Sequence, residues 1–70
     1  MSENEMRARL VSAEKELNIL YRERDRASRS NQREYAAKLL YTERKLRREM
    51  LALRAELEAR LLIDRRFSLN

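Results

Sequence analysis

Residues 26–34 read RASRSNQRE, nine positions without one bulky apolar side chain, set between two tracts that both repeat like helices. Whether the chain runs straight through this stretch or turns back decides the fold. Ser28, Ser30 and Asn31 favour a turn, because their short polar side chains compete for backbone hydrogen bonds. Asn31 and Glu34 also have the spacing of a capping box, which would start a second helix. Against a turn stands the absence of Gly and Pro from the whole chain, since these residues most often punctuate helices. The expectation is therefore one continuous helix, with a helical hairpin bending near residues 28–31 as the alternative.

Working upstream, Met6, Leu10, Ala13, Leu17 and Leu20 step by 4, 3, 4 and 3. That spacing is a heptad seam, which keeps one apolar stripe facing a partner helix. Continued by sevens, it brings Arg24, Ala27 and Asn31 inside, a poor core. Working downstream, Asn31, Tyr35, Leu39, Thr42, Leu46, Met50, Leu53, Leu57, Leu61 and Asp64 step by 4, 4 and 3. An eleven-residue repeat of this kind has 3.67 residues per turn and implies a straight or slightly right-handed supercoil.

The chain is thus expected to be all-α, a single coiled-coil segment over residues 1–70. Its parts are a heptad seam over 2–23, a weak polar stretch over 24–31, an eleven-residue seam over 31–64 and a basic tail over 65–70. At 1.5 Å per residue such a rod would be about 100 Å long. Asn31 would sit in the seam as a polar residue that fixes register and oligomer state. Leu40, Leu51 and Leu62 form a second ribbon, also eleven apart. A two-stranded seam leaves that ribbon partly wet, so a trimer, a tetramer or a dimer of dimers stands beside the homodimer.

Surface and ends fit a helix. Ser2 with Glu5 makes a capping box, and Met1 and Met6 have the spacing of a hydrophobic staple. Glu3/Arg7, Glu5/Arg9, Asp25/Arg29, Glu34/Lys38, Glu43/Arg47 and Glu56/Arg60 each place acid four residues before base, worth about 0.2–0.5 kcal/mol per pair. Arg9 and Glu14 would occupy facing flank sites of a parallel dimer, which makes parallel pairing the first choice.

Composition narrows the function. The chain has 70 residues, 41% of them charged, with no Cys and no His. Without His or Cys the usual general base, thiol nucleophile and soft metal ligands are missing. No Gly-rich loop is present to cradle a phosphate. The expectation is a protein that is not an enzyme, has no cofactor, no metal and no small-molecule substrate. No apolar run approaches the roughly 20 residues that span a bilayer, and the opening MSENEMRARL lacks a signal peptide's apolar core. An intracellular protein is expected, cytoplasmic, cytoskeletal or nuclear, with no membrane partner.

Two functional readings follow. In the first, the chain is an oligomerisation or scaffold element, alone or as a segment of a larger structural or cytoskeletal protein. Its seam residues are Met6, Leu10, Ala13, Leu17, Leu20, Asn31, Tyr35, Leu39, Leu46, Met50, Leu53, Leu57 and Leu61. The second begins from charge. The net charge is +5, and residues 21–48 hold ten basic and four acidic side chains. Such a belt attracts polyanions, either the acidic tails of a microtubule or nucleic acid, through Arg22, Arg26, Arg29, Arg33, Arg44, Lys45, Arg47 and Arg48. Tyr35 and Tyr41 could stack between these cations.

A basic-leucine-zipper reading of RSNQREYAAKLL fails. Ala36 and Ala37 lie too far from Asn31, leucines begin inside the basic stretch, and Glu34 and Glu43 would face phosphates. In the tail, RRFSLN has the Arg-Arg-x-Ser spacing that basophilic kinases accept, making Ser68 a candidate phosphosite.

Overall fold

A computed structural model describes residues 1–68, and the side chains of residues 1–64. The basic tail over 65–70, with Ser68 as candidate phosphosite, lies outside the described side chains. The chain is all-helical. Helix α1 runs Glu3–Arg29 and helix α2 runs Arg33–Ser68. They pack against each other as an antiparallel hairpin with extents of 60 × 16 × 15 Å. The expected continuous rod is therefore replaced by the hairpin alternative.

The physical reason lies at the turn. Asn31 has φ of 59°, the left-handed conformation that ends many helices and that Asn tolerates better than most non-Gly residues. The Gln32 N–H donates to the Ala27 carbonyl (2.9 Å) and the Asn31 N–H to the Ser28 carbonyl (3.3 Å). These are the paired 6→1 and 5→2 bonds of a Schellman motif, which satisfy carbonyls left over at the end of α1. One residue later α2 begins, with the Ala36 N–H donating to the Gln32 carbonyl at 2.9 Å. The second helix thus starts after Gln32 instead of being capped by Asn31. Asn31 itself is exposed in the turn, so its expected place in a seam is corrected.

At the other end, the Ser2 hydroxyl accepts from the Glu5 N–H at 3.1 Å, as an N-cap should. Of the two expected staple residues, Met6 is fully buried while Met1 is 66% exposed.

The core runs along the hairpin's length. On α1, Met6, Ala13, Leu17 and Ala27 are buried, and Leu10, Leu20 and Arg24 are half-buried between them. The heptad stripe therefore continues through Arg24 and Ala27 to the turn. On α2, Leu40 is half-buried beside the main stripe, in which Leu39, Glu43, Leu46, Met50 and Leu57 are buried and Ala36, Leu53 and Arg60 half-buried. These α2 stripe positions alternate in steps of 3 and 4, so the second half also follows a seven-residue spacing. Consequently Thr42 faces out, its hydroxyl donating to the Lys38 carbonyl at 3.1 Å, and Glu43 takes the inside position.

Tyr35 and Leu61, 47% and 41% exposed, likewise leave the core that the eleven-residue count assigned them. The cause is mutual: two helices stay in contact only if both present their stripes at the same seven-residue rate, and α1 sets that rate.

Candidate functional site

The seam closes within one chain. Ala13, Leu17, Leu46 and Met50 form its central buried cluster, with Leu10, Leu20 and Tyr21 packed against it. Of the thirteen expected seam residues, Met6, Ala13, Leu17, Leu39, Leu46, Met50 and Leu57 are buried and Leu10, Leu20 and Leu53 half-buried. Asn31, Tyr35 and Leu61 are outside.

The two edges of the hairpin differ. Residues 9, 16 and 23 precede the α1 stripe positions 10, 17 and 24 by one, while 14 and 21 follow positions 13 and 20. They therefore flank the seam on opposite sides. On the first edge, Arg9 Nε and Nη2 donate to both carboxylate oxygens of Glu49, at 2.8 and 2.9 Å. Arg9 Nη1 also reaches Glu16 at 3.2 Å. The bidentate bond from Arg9 holds the Glu49 carboxyl below the usual carboxylate range. Further along, the Tyr35 hydroxyl donates to Glu23 at 3.0 Å, and this carboxylate pushes the Tyr35 phenol up. Arg9 is thus bonded to Glu49 and Glu16 within the chain.

The second edge has no such lattice. Arg47 lies over the Tyr21 ring, 5.2 Å from its centroid, and its Nε donates to the Tyr21 hydroxyl at 2.8 Å. Beside this pair opens a groove of about 350 Å³, floored by Leu17 and Met50 and lipped by Glu14 and Asn18 on α1 and by Leu51 and Arg54 on α2. Leu51 is 64% exposed and Val11, one α1 turn away, 54%.

Among the described residues Glu43 is the one buried ionisable side chain. The Glu43 side chain is fully buried, and Arg24 Nε donates to its Oε2. Its Oε1 has no hydrogen-bond partner among the described residues; Arg47 Nη2 approaches it to 3.7 Å. Burying a carboxylate is tolerable only with such partners. Arg24 is legible in the sequence as an awkward seam position. Glu43 was missed because the eleven-residue count put Thr42 inside, and only the phase of α1 could have shown otherwise.

Part of the chain's positive charge is paired internally. Arg24 and Arg47 pair with Glu43, Arg29 with Asp25 at 3.0 Å, Arg7 with Glu3 at 3.3 Å and Arg60 with Glu56 at 2.9 Å. Arg22, Arg26, Arg33, Arg44, Lys45 and Arg48 are exposed and have no ion-pair partner among the described residues. Tyr41 is 70% exposed on the same α2 stretch. Among the described residues no cluster of three or more His, Cys, Asp or Glu could hold a metal, and no helix is long and apolar enough to cross a membrane. No family model, no curated protein and no solved structure matches the chain.

Proposed function

We propose that the chain is a non-enzymatic oligomerisation or scaffold element, a helical hairpin that associates with further copies of itself inside the cell, in a cytoplasmic or cytoskeletal setting. The observation that carries this reading is what the hairpin leaves uncovered. Its described core holds eight apolar side chains, two of them alanines, while Val11, Ile19, Leu51 and Leu62 stay between 54% and 64% exposed. A single core in a chain this short rarely supplies more than about 3–5 kcal/mol. Association adds apolar burial worth about 25 cal/mol per Å². The simplest product is a homodimer of hairpins, with larger assemblies built by the same principle.

Sedimentation equilibrium over a hundredfold concentration range tests it: the mass should exceed that of the 8.5 kDa chain. A constant monomer mass, with intact helicity, counts against the proposal.

The unpaired cations favour a second reading, in which Arg22, Arg26, Arg33, Arg44, Lys45 and Arg48 hold a polyanion. Binding of single-stranded nucleic acid or microtubules would then weaken steeply between low and physiological salt. No retention of either at low salt would remove this reading.

A further inference from the structure

We propose that the groove edge carrying Tyr21, Arg47 and Leu51 is the surface on which a second copy of this chain docks, around a two-fold axis, with each Leu51 seated over the partner's Leu17 and Met50. This rests on the self-association proposed above and adds its surface and its symmetry.

The asymmetry of the two edges points to this one. The first edge is sealed by the bonds of Arg9 to Glu49 and Glu16 and of Tyr35 to Glu23. A partner docking there would have to break or desolvate charge-assisted bonds that are already satisfied. On the second edge the Tyr21–Arg47 contact is the one polar contact that crosses between the helices among the described residues, and the floor of the groove is the apolar core itself. A leucine placed on that floor extends the core instead of competing with a polar network.

Charge selects the occupant. Glu14 stands on the α1 lip and Arg54 on the α2 lip of the same groove. Both are exposed, and neither has an ion-pair partner among the described residues. A two-fold contact is isologous, so each residue of one copy meets its counterpart set on the other. With the α1 lip of one copy over the α2 lip of its partner, Glu14 meets Arg54 twice, once on each side of the axis. The charges left over by the hairpin are thus complementary to themselves after the rotation. Docked this way, four helices surround one core and Leu51 and Val11 leave water, while Ile19, on the far flank, does not.

Sedimentation velocity of the full 70-residue chain, with helicity monitored by circular dichroism, tests the surface. Leu51→Glu removes an exposed residue, so the hairpin keeps its helicity, and dimer dissociation should rise at least about tenfold, as for a central apolar anchor. Ile19→Glu, equally exposed on the other flank, should leave the dissociation constant within about twofold, as an interface-remote surface change does. Glu14→Arg and Arg54→Glu should each weaken the dimer, and the double variant should recover most of the loss, the signature of a direct pair.

A dimer indifferent to Leu51→Glu overturns this surface while leaving self-association intact. That result is also the one expected if copies exchange helices, since such a dimer reuses the internal seam. A chain that is monomeric throughout overturns both proposals. Failure of the double charge swap to recover affinity removes the two-fold pairing.

Discussion

Asn31 adopts φ of 59° in a chain that has no glycine, so the turn depends on a residue that only tolerates the conformation. Its side chain is short enough to avoid most of the clash that a Cβ-branched residue meets there. Asn31→Gly should keep the urea midpoint or raise it slightly, within about 0.5 kcal/mol, because glycine fits the geometry but loses more chain entropy on folding. Asn31→Val should lower stability by about 1–2 kcal/mol. A valine variant that unfolds at the wild-type midpoint would show that position 31 is not left-handed in solution. The same residue shows why the turn was hard to read. Without Gly or Pro, a lone Asn looks equally like a cap, a turn or a polar seam position. What separates these is the pairing of its neighbours' carbonyls, which a sequence does not display.

The two helices were legible to different depths. Both apolar tracts have helical spacing, and the α1 stripe from Met6 to Leu20 is the face the structure buries. The α2 stripe reads as a period of eleven because Leu39, Leu46, Met50, Leu53 and Leu57 satisfy that count and the seven-residue one alike. The two counts part only at positions such as 42/43 and 60/61, where the inside residue proves to be Glu43 or Arg60. Charged residues at core sites are what hydrophobic periodicity cannot see. They become intelligible only in pairs, and Arg24 lies nineteen residues from Glu43 along the chain.

That pair, and not Asn31, is placed to set the register. Sliding α2 by a heptad would leave Glu43 buried without Arg24, a costly state. Arg24→Leu should therefore destabilise the hairpin by about 1–3 kcal/mol by stranding the carboxylate, a figure kept low because Arg24 is partly solvated. Adding Glu43→Leu should restore or exceed the original stability, since a well-packed apolar pair is often as good as a buried ion pair. Thermal unfolding of the single and double variants measures this. A double variant as unstable as Arg24→Leu alone would mean that the layer's packing, and not its charge, matters.

For the whole molecule the decisive quantity is length: 60 Å for the hairpin against about 100 Å for an unbroken rod. The choice follows from where the apolar stripe finds a partner. In a rod it waits for a second chain, so its burial depends on concentration. In the hairpin the partner is tethered by a three-residue turn, and closure is intramolecular. With a net charge of +5, two rods must also bring like charges together before their seams meet, whereas the hairpin sets Arg9 against Glu49 within one chain.

The chain has no cysteine, so spin labels can be placed cleanly at Ala8 and Glu58, both exposed. A continuous helix would hold them about 75 Å apart. Adjacent antiparallel helices, with axes about 8–10 Å apart, should bring them to about 15–30 Å once label linkers are included. Dilution with excess unlabelled chain distinguishes the remaining case. The short distance should survive undiminished when both labels sit on one hairpin, and should fade if α1 pairs with the α2 of another copy. Loss of the short distance on dilution would return the seam to its intermolecular role and leave the turn as the hinge through which copies exchange helices.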